Sequence, residues 1–300
     1  LGCENLTLDK FKEGLGDYDS DRIKFLVCQN ETDEFAAGRK LLEELASYAG
    51  SFERTPLPAD KLIIGMKCGG SDGLSGITAN PTVGRFSDLL CASGGTTILT
   101  EVPEMLGAEN ILFSRCKDDE VFKKAVNMAN NFKKYFTSHG QTVYENPSPG
   151  NKAGGITTLE DKSCGCIQKS GSAQIQDVLN YGSSVKKKGL NLLYGPGNDL
   201  VSATALTAAG AQLILFTTGR GTPFGAPAPT VKISSNTALS KKKSGWIDFN
   251  AGAVADGEIT LDAAGRNLFD LVIKKASGEK TLSELHDFRD ISIFKDGVVL

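Results

Sequence analysis

The sequence predicts an α/β fold, a Rossmann-like variant with a mostly parallel sheet covered by helices on both faces, and three observations carry that expectation. Short runs apolar at successive positions recur along the chain, each opens into a glycine-rich or polar turn, and long amphipathic segments lie between them. A strand apolar on both faces must be covered above and below, which crossover helices on a parallel sheet achieve. With 300 residues, 40% apolar and 23% charged, the chain buries a substantial core as one large domain or two.

Residues 1–58 stand apart. They offer a short strand at Ile23 to Val27, then a helix with Phe35, Leu42, Leu45 and Tyr48 at helical spacing, half of an α/β unit. The stretch from Gly50 to Pro58, with a glycine and two prolines, breaks periodicity and marks a boundary before residues 59–300. From there the pattern is regular. Leu62 to Met66 runs into Cys68-Gly69-Gly70-Ser71-Asp72-Gly73, and Thr97 to Leu99 into Thr100-Glu101-Val102-Pro103-Glu104. Leu190 to Tyr194 runs into Gly195-Pro196-Gly197-Asn198-Asp199, and Leu213 to Phe216 into Thr217 to Pro223. Helices are expected at Val121 to Phe136 and Leu261 to Lys275. In such a sheet the turns leaving the carboxyl ends of the strands gather on one edge, where ligands bind. The segment Glu145 to Thr158 is long and aperiodic and reads as a functional loop.

The charge balance, 33 Lys+Arg against 36 Asp+Glu, supplies no general pull toward phosphate backbones, so nucleic acid is not an expected partner. The runs Lys186 to Lys188 and Lys241 to Lys243 read as solvated turns or helix ends. No apolar run approaches the roughly 20 residues of a bilayer span, so no membrane role is expected. Leu1-Gly2-Cys3-Glu4-Asn5 carries neither an initiator Met nor a signal segment and reads as part of something longer. Seven cysteines without small-scaffold spacing point to reduced thiols in a cytoplasmic protein.

The spacing Gly70-x-x-Gly73-x-x-Gly76 is not that of a dinucleotide fingerprint, and no phosphate-binding loop motif occurs. Cys28, Cys91 and Cys116 read as small core residues. Cys68 and Cys166 lie in glycine-flanked polar turns where a thiolate faces a cleft, which suits a borderline metal such as ferrous iron; Cys3 is a weaker third candidate. The chain holds two histidines: His139 reads as a helix C-terminal cap and His286 as surface. Without a G-x-S-x-G elbow a hydrolase triad is unsupported, and acid–base work falls to lysines, carboxylates or a metal-bound water.

These blocks, with Leu1 to Asn5, Ile77-Thr78-Ala79-Asn80-Pro81, Glu145 to Glu160 and Thr218 to Pro223, resemble in order and nearly throughout the altronate/galactarate dehydratase family, closest to its altronate branch. The resemblance implies a hydro-lyase that converts an aldonate such as D-altronate to 2-keto-3-deoxygluconate, dependent on Fe2+ or alternatively Mn2+ or another divalent cation. It makes residues 1–58 the remnant of a middle dimerisation domain and 59–300 a C-terminal metal-binding catalytic domain. An N-terminal β-clip (SAF-like) domain would be missing, and the full-length protein would be a homodimer. The expected metal ligands are Cys68, Cys166 and Glu145. Lys152 and Glu145 are the catalytic candidates, and Arg220, Asn151, Ser71, Asp72, Asn198 and Asp199 the substrate-binding ones. This chain alone is expected to be weakly active or inactive. Competing readings are the large subunit of a sulfolactate sulfo-lyase, galactarate dehydratase, and a non-catalytic ligand-binding α/β module.

Overall fold

The computed structural model describes residues 7–143 and 146–296. Cys3 and Glu145, named above as candidates, lie outside the described residues. The chain divides into two compact units, Leu1–Leu57 and Pro58–Leu300.

In the first unit, α1 (Leu8–Leu15) begins at Thr7, whose hydroxyl accepts from Lys10 N, and α2 (Glu34–Gly50) begins at Asp33, whose carboxylate accepts from Ala36 N. The strand expected at Ile23 to Val27 does not form: this stretch pairs with no strand among the described residues. Phe25 instead makes edge contacts with Phe11 and Tyr18. No described residue of this unit is buried, and Phe35 and Leu42 are largely exposed.

The second unit is a seven-stranded sheet, parallel at every pairing: β1 (Ile63–Cys68), β2 (Thr96–Leu99), β3 (Ile175–Leu179), β4 (Gly189–Leu193), β5 (Leu213–Thr218), β6 (Thr230–Ser234) and β7 (Phe249–Asn250). The strand order is β3-β4-β2-β1-β5-β6-β7, so β2 to β4 lie on one side of β1, with β3 at the edge, and β5 to β7 on the other. The change of side lies between β1 and β5, where a crevice opens beyond the carboxyl ends of the strands.

Alternation along the strands sends side chains to two cores. Ile64, Met66, Leu213, Leu215, Val231 and Ile233 join one, which α3 (Ala79–Ala92), α5 (Asp119–Ser138) and α10 (Leu261–Ala276) complete through Phe86, Phe132 and Leu268; α4 (Glu109–Phe113) adds Leu112. Ile98, Leu193, Ile214 and Phe216 join the other with Leu206 of α8 (Asp199–Ala208). Both faces are covered, as expected. The loop expected from Glu145 to Thr158 contains one helical segment, α6 (Pro149–Ala153), set by a capping box between Ser148 and Asn151. Next comes α7 (Leu159–Ile167), which corrects the turn expected around Cys166: that cysteine is helical, and the helix is capped by Thr158. The shorter α9 (Thr237–Lys242) precedes β7, and α11 (Leu282–Leu285) follows α10. Among the described residues no helix is long and apolar enough to cross a membrane.

Candidate metal and acid-binding site

Cys68 is the last residue of β1 and sits at the crevice. Two residues of the turn after β2 face it. Glu101 begins that turn with φ 71° and ψ 64°, a left-handed conformation costing a non-glycine residue about 1–2 kcal/mol. Its carboxylate holds it there, accepting from Cys68 N at 2.9 Å and pairing with the buried Lys67, while Lys169 Nζ lies 3.6 Å away. Three residues on, Glu104 pairs with Lys162 of α7 and accepts from Cys166 Sγ at 3.4 Å.

The helix α7 reaches this turn because two glycines meet: a Cβ on Gly76 would lie 2.9 Å from Gly165 Cα. With no side chain between the backbones, Cys166 Sγ comes to 3.5 Å from Cys68 Sγ. Ligand atoms of Cys68, Glu104 and Cys166 all fall within 4.8 Å of one another, and all three residues are buried. Two sulfurs and a carboxylate oxygen suit ferrous iron or zinc better than the harder Mn2+.

Around this triad are three buried ammonium groups. Lys67 Nζ pairs with Glu101, lies 2.9 Å from Asp199 Oδ1 and donates to Gly197 O at 2.9 Å. Burial alone pulls Lys67 down, but Glu101 and Asp199 outweigh it and hold the group above its ordinary value. Burial is likewise outweighed at Lys162 by Glu104 and the two thiols, and at Lys169 by the thiols and Glu101. The hydrogen bond from Cys166, helped by Lys169, Lys162 and Lys67 against burial, holds Cys68 well below the usual thiol range; the same bond and burial push Cys166 up. Burial, with Cys68 adjacent, pushes Glu101 up to about 8 against the pull of Lys67 and Lys169. A fold gains little from so many buried charges, and their concentration at a crevice marks a functional site.

A cavity of about 490 Å³ is lined by Cys68, Glu104 and Lys162 together with Arg220 and Thr222. A second cavity of about 300 Å³ reaches Cys166, with Ser71 and Lys162 shared between the two. Arg220 Nη1 donates to Gly150 O at 3.0 Å, which joins the turn after β5 to α6 and leaves further donors of the guanidinium for an anion.

The expected residues divide accordingly. Cys68 and Cys166 come together, and Arg220, Asn151, Ser71 and Asp199 line the first cavity. Asn151 Nδ2 donates to Ser71 O at 2.9 Å, tying α6 to the turn after β1. Asp72 lines the second cavity and accepts from Ser75, Ser235 and Asn236, so its carboxylate ties the turns after β1 and β6 together. Asn198 caps α8 through Leu200 N and Val201 N and lines neither cavity. Lys152 is exposed on α6 and also outside both linings, whereas Lys162 lies where an ammonium meets the cavity. Sequence reasoning missed Glu101, Glu104, Lys67, Lys162 and Lys169. Two signals were present: a lysine inside the apolar run Ile63 to Cys68, and two glutamates three apart directly after a strand.

Residues 59–299 match the family described as D-galactarate/altronate dehydratase, C-terminal. Over all 300 residues the chain is 55% identical to altronate dehydratase of Bacillus subtilis (strain 168) and 53% identical to altronate dehydratase of Escherichia coli (strain K12), covering 60% of each. It is 36% identical to galactarate dehydratase (L-threo-forming) of Escherichia coli (strain K12) over 289 residues, 93% of this chain and 55% of that protein. The chain thus spans about three-fifths of the length of the altronate dehydratases it matches.

Proposed function

The chain belongs to the D-galactarate/altronate dehydratase family, and on that premise we propose that it carries the metal-binding and acid-binding part of a hydro-lyase that removes water from a sugar acid. D-altronate giving 2-keto-3-deoxygluconate is the first choice of reaction. The observation that carries this reading is that one cavity is lined both by Cys68 and Glu104, two of the three metal-ligating candidates, and by the guanidinium of Arg220, which suits a carboxylate.

Dehydration takes the proton from the carbon beside the carboxylate and expels hydroxide from the next carbon, leaving an enol that becomes the 2-keto acid. The costly species is the dianion formed when the proton leaves. A divalent ion held by Cys68, Glu104 and Cys166, ferrous iron first and Mn2+ or another cation second, would supply Lewis-acid stabilisation of that charge. Arg220 receives the carboxylate in a bidentate fork, and Asp199, Asn151 and Ser71 offer partners for hydroxyls. Lys162, held protonated beside Glu104, adds positive charge where the dianion develops and a proton for the departing oxygen. Lys152 and Glu145 remain catalytic candidates from their place in the polar loop, and turnover of variants weighs Lys152 against Lys162.

The free thiols fit a cytoplasmic enzyme, and the complete protein is proposed to be a homodimer with a β-clip domain. A keto-acid assay of the complete protein with ferrous iron on altronate, galactarate and sulfolactate tests the reading. Altronate should turn over fastest. Sulfite release from sulfolactate would move the chain to the sulfo-lyase branch, and no product from any of the three would leave a binding module.

A further inference from the structure

Lys232 is at the centre of β6 and wholly buried. Among the described residues no carboxylate forms an ion pair with it, although Asp248 and Asp290 are near. Its Nζ donates to the main-chain carbonyl of Thr222 at 2.9 Å. The Phe288 ring centroid lies 5.0 Å from the ammonium and that of Trp246 5.9 Å. An ammonium in such a place costs far more than the leucine or methionine that a buried parallel strand ordinarily carries there, so packing alone does not account for it.

The turn it holds lines the cavity through Arg220, Gly221 and Thr222. Its first half is fastened from within the sheet: Gly219 N and Arg220 N both donate to Gly70 O, at 3.0 and 3.1 Å, and Gly221 N donates to Thr218 Oγ1 at 2.9 Å. Beyond Gly221 the backbone leaves those bonds. Phe224 is seated on Phe216, ring centroids 5.4 Å apart, and Gly225 O accepts from Asp290 N at 2.7 Å. Between these fixed ends, the Thr222 carbonyl is held by Lys232.

We propose that Lys232 is a positioning residue for substrate binding, holding the Thr222 carbonyl so that the turn presents Arg220 to the sugar-acid carboxylate. This rests on the acid-binding role given to Arg220 above. Lysine is the side chain that fits, because its straight stem crosses an apolar layer and delivers a point donor at its end, with aromatic faces replacing water around the charge. Losing the bond frees the wall of the cavity without touching the metal-ligating triad.

The test is made in the complete protein with Lys232→Met, Lys232→Gln, Arg220→Ala and the double variants. Lys232→Met should raise the KM for the sugar acid about tenfold or more, with kcat within about threefold, because a bond that fixes a binding wall acts on affinity. Amide exchange at Gly221 and Thr222 should accelerate about tenfold, while exchange in β1 and α7 stays unchanged. Lys232→Gln is one bond too short to reach Thr222 and should behave alike, so it serves if the methionine variant does not fold. In an Arg220→Ala background either change should alter KM less than about twofold, since the interaction is lost once. A purely structural lysine would lower the melting temperature and leave KM and local exchange unaltered, and that result overturns the proposal, as does an effect that simply adds to Arg220→Ala. If the protein dehydrates no sugar acid, the proposed function fails, and the exchange measurement still decides whether Lys232 fixes the turn.

Discussion

The sulfur atoms of Cys68 and Cys166 stand 3.5 Å apart although 98 positions separate the residues in sequence. One ends a strand and the other lies in the last turn of a helix, and the helix arrives there through the Gly76–Gly165 contact. Replacing Cys68, Cys166 or Glu104 by Ala should therefore lower bound iron and turnover together. Metal stoichiometry by mass spectrometry on the iron-reconstituted protein checks this, and unchanged iron in all three variants would remove the triad as the metal site.

Gly76→Ala acts on the same geometry from a distance. Its Cβ would lie 2.9 Å from Gly165 Cα, closer than backbone and side chain tolerate, so α7 must move outward. Overpacking of this kind costs about 1–3 kcal/mol. Gly165→Ala, with its Cβ 3.1 Å from Gly76 Cα, recovers about 1 kcal/mol through helix propensity and should be the milder change. Iron content and thermal unfolding of the two variants give the comparison; equal iron in Gly76→Ala and the parent would show that the glycine contact does not set the ligand spacing.

Lys162 and Lys152 separate cleanly by turnover. Lys162→Ala should cut kcat by roughly a hundredfold or more, the scale for losing a proton donor or a charge at the reacting centre. Lys152→Ala, exposed on α6, should change kcat by less than about threefold if Lys162 carries the role. Steady-state kinetics on altronate decides, and the reverse ranking restores Lys152.

Burial holds Lys232 down to about 8, against an ordinary value of 10.5. Between those two values the unfolded chain binds a proton that the native protein has released, so the Lys232 contribution to stability rises with pH across the window from 8 to 10.5 and is lost as pH falls through 8. The gap corresponds to roughly 3 kcal/mol. Denaturant unfolding of the parent and Lys232→Met at pH 7 and pH 10 should show the parent gaining relative to the variant; a constant difference would place the lysine's titration outside this window.

The α/β class was legible because a parallel strand buried on both faces has little choice of composition: Ile64, Met66, Ile214 and Phe216 announce themselves. Two of the missed strands fail that test. Gln176 and Asp177 interrupt edge strand β3, and Lys232 stands in the middle of β6. The thiols were legible as candidates for the converse reason, a soft ligand beside glycines. Glu101, Glu104, Lys162 and Lys169 were not, since a charged side chain in sequence carries no sign of whether it will be buried; their burial arises from α7 folding back across the turn after β2. Asp72 and Asn151 show the opposite limit, polar residues in a promising turn whose hydrogen bonds join one loop to another.

The left-handed backbone at Glu101 has a mechanical consequence. Its carboxylate is clamped by Cys68 N and Lys67, and Glu104 rides on the same short turn, Glu104 N donating to Glu101 O at 2.8 Å. The turn is therefore a cocked lever with its fulcrum at residue 101. Glu101→Gln loosens the clamp and lets the backbone swing toward an easier conformation, carrying with it a carboxylate that Glu101 never touches, while Glu101→Gly removes the tension and the grip together. Tuning the grip of a ligand by one residue's torsion, with the ligand itself unaltered, is open to this site through that single position.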